Sequence, residues 1–139
     1  MGIYTAISTG TVSAAGTSFA DGKEVVIALN TPHPTRVVGQ PFIGHLGALY
    51  VDATVASGSP TKLTIRVSTA ADGDSSLIVP DTEATFAAGI ATSSNVSATY
   101  SIDIPYSDLT KTDTVYVFFK VDAGTLNVAA GAVRLTWTD

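Results

Sequence analysis

The segment from Asp113 to Trp137 restricts the fold more than any other, because its apolar side chains recur with the two-residue period of a β-strand. Within residues 114–122, TVYVFFKVD, one face of the strand carries Val115, Val117, Phe119 and Val121, and the other carries Tyr116, Phe118 and Lys120. Large apolar side chains on both faces predict a strand covered on both sides. Gly124 then allows a tight turn, since glycine adopts positive φ without steric cost, and a return strand follows. The segment therefore predicts the central ribbon of a β-sandwich.

Similar alternation recurs along the chain. The clearest case is residues 62–68, KLTIRVS, in which Leu63, Ile65 and Val67 share one face. Residues 24–29, 48–56 and 98–104 are further candidate strands, and turn signals separate the strands at intervals of about eight to twelve residues. The pattern predicts an all-β fold: an antiparallel β-sandwich of about eight strands, jelly-roll-like or immunoglobulin-like.

Proline and small polar residues interrupt the pattern after residue 76. The sequence predicts a short strand at residues 77–79 that ends at Pro80, because proline cannot donate to a β-ladder. From Asp81 to Gly89 it predicts a single helical turn, in which the side chains of Asp81, Thr82 and Glu83 would cap the free amides.

The length of 139 residues corresponds to one domain. Residues 1–20 contain few large apolar side chains and predict either an arm that orders against a neighbouring subunit or an ordinary edge strand, with residues 21–139 forming the sandwich. The chain has no cysteine, so disulfides and thiolate zinc sites are excluded.

Charged residues make up only 14% of the chain, against about a quarter in ordinary soluble domains. Either Thr and Ser cover the surface, or copies of the chain or a partner cover part of it, and we favour the second interpretation. The formal net charge of −5 and the scattered basic residues argue against nucleic-acid binding. No apolar run is long enough to span a membrane, and no secretory signal is visible.

Two sets of side chains are candidates for a site. The acidic cluster Asp72, Asp74, Asp81 and Glu83 offers oxygen ligands for a cation such as calcium, although a solvated acidic loop is the commoner outcome. The aromatic residues Tyr4, Tyr106, Phe118 and Trp137 are candidates for contact with a partner or a ligand. The sequence contains no recognisable nucleophile, base or metal-ligand constellation, and we expect neither catalysis nor a cofactor.

The second half of the chain resembles a known class of proteins. Residues 77–82, LIVPDT, residues 102–106, IDIPY, residues 114–126 and the closing RLTW of residues 134–137 are similar to small virion structural proteins of tailed bacteriophages, in particular capsid decoration (cement) proteins and head-fibre domains. The resemblance extends over residues 74–137 and transfers no individual binding residue.

The resemblance implies a β-sandwich on the outer surface of an icosahedral shell. A protein of this kind is made in the host cytoplasm, binds the major capsid protein, often forms a trimer, and stabilises the shell by bridging capsomers. The alternative from a different class is a carbohydrate-binding or receptor-binding β-sandwich module, which would present an open aromatic face.

Overall fold

The computed structural model describes residues 3–20, 22–28, 47–68, 77–86, 91–102 and 114–138. These residues form ten β-strands: β1 (Ile3–Ile7), β2 (Val12–Ala15), β3 (Glu24–Ala28), β4 (Gly47–Ser57), β5 (Lys62–Ser68), β6 (Leu77–Thr85), β7 (Asn95–Ile102), β8 (Thr114–Val121), β9 (Thr125–Val128) and β10 (Val133–Thr138). No helix occurs within the described ranges. The predicted all-β class is confirmed.

The strands form two antiparallel sheets. The first sheet has the order β1-β10-β4-β9-β2, with β7 paired to β4 on its other side, and the second has the order β3-β8-β5-β6. β9 and β10 lie end to end along one edge of β4, because β9 pairs with residues 54–57 and β10 with residues 48–51. β1 and β2 continue this arrangement along β10 and β9. The first sheet is therefore four strands wide, and two of these four positions are each filled by two short strands, β10 with β9 and β1 with β2. It faces a second sheet of four strands.

The core lies between the sheets and consists of the alternate residues that the sequence places inward. In β8, the side chains of Val115, Val117, Phe119 and Val121 are buried, as are those of Leu63, Ile65 and Val67 in β5, so this prediction is confirmed. Tyr100 of β7 joins the two sheets, because its buried hydroxyl donates a hydrogen bond to the carbonyl oxygen of Leu63 at 2.9 Å. Burial raises the pKa of this phenol above its ordinary value.

Residues 77–85 differ from the sequence prediction. The strand does not end at Pro80, and residues 81–85 form no helical turn; both lie in β6. β6 is an edge strand, so the missing proline N–H need not leave a gap in a ladder. The pairing of β6 with β5 also shifts here, because Pro80 and Asp81 together oppose Arg66. A proline at a bulge in an edge strand is compatible with strand pairing. The sequence alone does not reveal that residues 77–85 form an edge strand with a bulge.

Residues 3–20 contact both sheets. β1 is an edge strand of the first sheet. Beyond it, Ser8 donates its N–H to the carbonyl of Val133 at 2.9 Å, and Thr9 exchanges backbone hydrogen bonds of 2.8 and 3.1 Å with Val26 of the second sheet. The carbonyl of Gly16 then accepts the N–H of Val121 at 2.9 Å. The buried residues of this segment are Ala6, Ser8, Val12 and Ala15. Its backbone thus joins the two sheets along one side of the sandwich.

The β4–β5 and β8–β9 turns pack against each other beside Asp122. The Asp122 carboxylate accepts the N–H of Thr61 at 2.8 Å, the N–H of Lys62 at 3.0 Å and the hydroxyl of Thr61. Both turns contain a glycine with positive φ, Gly58 at 71° and Gly124 at 70°. The two glycines allow the backbones of the turns to approach closely, and the carboxylate fixes the second turn to the start of β5.

We expect Asp122 to contribute acid-sensitive stability. The hydrogen bond from the Thr61 hydroxyl, followed by the backbone N–H groups, lowers the pKa of this carboxyl to about 2. The unfolded value is about 3.9, so the contribution is present above about pH 4 and is lost as the pH falls through about 2. Asp122→Asn should lower the free energy of unfolding by about 1 kcal/mol at neutral pH, a small figure because the carboxylate is exposed to solvent.

Urea denaturation of both proteins between pH 2 and pH 7 measures this effect. The difference between wild type and Asp122→Asn should shrink steadily at acidic pH and approach zero near the low end. A difference that stays constant with pH would contradict the assignment of acid sensitivity to Asp122.

Candidate interaction face

The outer face of the first sheet carries the side chains that point away from the second sheet. In β4, Leu49, Val51, Ala53 and Val55 are buried, and the alternate residues Tyr50, Asp52 and Thr54 point outward. In β7 the outward positions are Asn95, Ser97, Thr99 and Ser101, all exposed. This surface is called the outer face below.

A row of larger side chains crosses the outer face. The strand registers place Ile7 opposite Arg134, Arg134 opposite Tyr50, and Tyr50 opposite Thr99. Ile7 is 57% exposed and Tyr50 is 37% exposed, and they are the exposed large hydrophobic residues in the described part of the chain. The Arg134 guanidinium lies 5.4 Å from the centroid of the Tyr50 ring, within cation–π range. We call Ile7, Arg134 and Tyr50 the central row.

Short polar side chains surround the central row and satisfy one another. Ser97 donates its hydroxyl to Asp52 at 2.7 Å, and Thr54 donates to Asn95 at 3.2 Å. Thr5 and Thr136 are hydrogen-bonded across β1 and β10 at 3.3 Å. Such pairs leave few charged groups to desolvate when another surface covers them. The outer face therefore has a composition found in protein contact surfaces: Ile7, Tyr50 and the cation Arg134 at the centre, and short polar side chains with one carboxylate, Asp52, around them.

The outer surface of the second sheet differs, because it carries ion pairs and is partly covered by the Phe19 ring. Arg66 donates two hydrogen bonds to Asp81, at 2.8 and 3.1 Å, and these lower the pKa of that carboxyl. Lys62 forms an exposed ion pair with Glu83 at 3.7 Å. The Phe19 ring lies 4.3 Å from the Arg66 guanidinium and 4.9 Å from the Lys120 ammonium, measured to the ring centroid. This surface would be more costly to desolvate than the outer face.

The acidic candidates from the sequence divide into two pairs. Asp81 and Glu83 lie on β6, each with the basic partner just described. Asp72 and Asp74 lie outside the described residues. Among the residues that are described, no group of three or more His, Cys, Asp or Glu side chains could hold a metal ion.

The aromatic candidates are also dispersed. The backbones of Tyr4 and Trp137 pair directly in the β1–β10 ladder, so the fold brings these two positions together. Phe118 is only 1% exposed, so its ring already contacts the chain itself. Tyr106 lies outside the described residues. The central row was not predicted from the sequence, although one signal pointed to it: Tyr50 is a lone aromatic residue on the polar side of an alternating strand.

Comparisons with known proteins assign no family. No protein-family model and no curated protein matches the chain. Two solved structures give weak matches. One is the T13 viral particle of IBDV, with 14% identity and a TM-score of 0.44 over 97% of this chain and 30% of that one. The other is infectious bursal disease virus of the Gx strain, with 16% identity and a TM-score of 0.38 over 97% of this chain and 31% of that one. This chain thus spans less than a third of either. Within the described ranges, no helix is long and apolar enough to cross a membrane.

Proposed function

We propose that the protein is a non-enzymatic structural component of a virion, of the capsid-decoration type, which binds the capsid surface through its outer face. The observation that carries this proposal is the central row, in which exposed Ile7 and Tyr50 flank Arg134 on a face with short polar side chains and one carboxylate, Asp52. Tyrosine and arginine are enriched among the residues that dominate binding energy, and surroundings with few charges exclude water at low desolvation cost.

The sequence supports the same proposal in two ways. Residues 74–137 resemble small virion structural proteins of tailed bacteriophages, whose partner is the major capsid protein. The low charge fraction of 14% suits a domain that is partly covered by other protein. A flat contact of modest affinity becomes effective on a shell, because one copy binds at each symmetry-related site and bridges neighbouring subunits.

A binding experiment with the intact virus tests the proposal. Purified protein is mixed with capsids of the virus that carries this chain, and its co-sedimentation is measured. We expect wild type to sediment with the capsids, and Tyr50→Ala or Arg134→Ala to bind roughly tenfold or more weakly, as is typical of central contact residues. Both variants should fold normally, because these side chains are exposed.

Lys62→Ala is the matched control, since Lys62 is exposed on the opposite sheet. It should bind capsids as wild type does. Failure of the wild type to sediment with capsids would refute the proposed function, and equal binding by Tyr50→Ala, Arg134→Ala and Lys62→Ala would refute the choice of face.

Carbohydrate binding is the second candidate, and one observation favours it. Tyr50 is an exposed aromatic ring with the polar side chains of Asp52 and Ser97 nearby on the same face, an arrangement that can stack on a sugar ring and bind its hydroxyls. However, the Ser97 hydroxyl is already donated to Asp52. A saturable glycan response that is lost in Tyr50→Ala, without capsid binding by the wild type, would establish this alternative.

A further inference from the structure

β7 is a sheet-edge strand that lacks the usual protection of such strands. Its sequence, NVSATYSI, contains no charged residue, no proline and no glycine, and its pairing with β4 continues without a bulge from Asn95 to Ile102. In the part of the chain that the structure describes, β4 is the one strand that pairs with β7. Edge strands normally carry charges, prolines or bulges that prevent pairing with another chain. Within the described ranges, this long, regular, neutral edge has no second partner strand.

The other edges of the sandwich are protected or short. β6 carries Pro80, Asp81 and Glu83 together with its bulge. In β3 the backbone of Val26 is already hydrogen-bonded to Thr9. β1 and β2 have only five and four residues. β7, with eight residues, is the edge among these that is best suited to extending a sheet.

The hydrogen-bond pattern identifies which backbone groups of β7 point away from β4. Val55 of β4 donates to Ser94 and accepts from Ser93, so the odd-numbered residues of β4 point toward β7, whereas the N–H of Asp52 points away, to Ala132. Val51, opposite Ala98, therefore exchanges hydrogen bonds with it, and Tyr50, opposite Thr99, does not.

By the same alternation, the N–H and C=O groups of Ser97, Thr99 and Ser101 point to the open edge. Their side chains lie on the outer face and are exposed. Beside Asn95, the edge thus presents three residues with small hydroxyl side chains, whose backbone donors and acceptors pair with no other described strand.

We propose that β7 pairs with β7 of a second copy, antiparallel, about a two-fold axis at Thr99. Each Thr99 would then face Thr99 of the partner subunit, and each Ser97 would face Ser101 of the partner subunit, with about six backbone hydrogen bonds in total. The occupant is a second copy because the pattern is self-complementary: the outward side chains are neutral hydroxyls, which pair favourably across strands and bring no like charges together.

The two first sheets would form one continuous sheet across the dimer. Both outer faces, and hence both central rows, would then lie on the same side of the joined sheet. This inference rests on the edge of β7 and holds whether or not the outer face binds a capsid.

Thr99→Lys tests the pairing. Two lysines would meet at the two-fold axis, and like charges directly opposite each other destabilise a strand pair. Light scattering should give wild type a mass of twice 14.2 kDa at millimolar concentration, and Thr99→Lys the mass of one chain. The free energy of unfolding, extrapolated to low protein concentration, should be nearly unchanged, because the Thr99 side chain is exposed. Thr5→Lys, the same change at an exposed site on β1, should remain dimeric.

Hydrogen exchange followed by NMR locates the interface. The backbone amide of residue 99 should be protected in wild type in proportion to dimer formation and should exchange rapidly in Thr99→Lys. The Ala98 amide, which is hydrogen-bonded to β4, should be protected in both proteins. A monomer at millimolar concentration, a trimer, or a dimer that persists in Thr99→Lys would overturn the proposal. Tyr50→Ala should keep the dimer while losing capsid binding, so failure of this inference and failure of the proposed function are separate outcomes.

Discussion

Replacing Gly124 with alanine is expected to destabilise the protein more than any other single change considered. A Cβ atom at this position would lie 2.0 Å from the Ser57 carbonyl oxygen and 2.9 Å from the Gly58 Cα atom. Both are backbone atoms, so no side-chain rotation relieves the overlap. The positive φ of 70° adds strain for any residue with a Cβ. We expect a loss of about 4 kcal/mol or more in the free energy of unfolding, measured by urea denaturation.

Gly10→Ala separates the two causes. Gly10 also has a positive φ, 85°, but a Cβ there would meet no atom within 4 Å. This variant should therefore show the conformational strain alone, about 1 kcal/mol. Similar losses in Gly124→Ala and Gly10→Ala would mean that the contact between the two turns is not close.

Phe118→Ala is expected to have the second largest effect. Phe118 lies on the side of β8 opposite the inter-sheet core, yet it is only 1% exposed. Truncating a buried phenylalanine typically costs about 3–5 kcal/mol, from lost apolar burial and the cavity left behind. The sequence-based hypothesis that Phe118 contacts a partner predicts something else: a variant as stable as wild type that binds its partner poorly.

Thermal and urea unfolding of Phe118→Ala distinguish these outcomes, with Phe119→Ala as the reference. Phe119 is fully buried on the opposite side of the same strand, between the two sheets. Comparable losses in both variants would show that the second sheet is covered on both sides. A normal free energy of unfolding for Phe118→Ala would instead support the partner-contact hypothesis.

Much of the architecture could be predicted because alternation is a local signal. The faces of β5 and β8 follow directly from the period of two, since a one-residue shift would expose every core side chain. β6 was mispredicted because Pro80 breaks a ladder only where its N–H would be needed, and that depends on whether the strand lies at an edge. Strand order is a property of distant pairing, and a single sequence carries no local trace of it.

The candidate face illustrates the same limit of local information. Tyr50 could be recognised from its position in β4, but its neighbours Arg134 and Ile7 come from distant strands. Their adjacency depends on two strand registers, which are fixed by packing of the whole sheet. The ion pairs of Asp81 and Glu83 likewise could not be predicted locally, because only the pairing of β6 with β5 places these carboxylates beside Arg66 and Lys62.

The attachment of residues 3–20 to both sheets also determines how the molecule can fold. Ile3 pairs with Thr138, and Thr9 forms an isolated bridge with Val26 of the second sheet. Nearly every ladder joins segments that are far apart in sequence, so the entropy cost of closing long loops precedes the gain from pairing. Such topologies fold in milliseconds to seconds rather than microseconds. A long neutral edge such as that of β7 is prone to mispairing while folding is incomplete, so we expect rapid refolding at high concentration to favour aggregation.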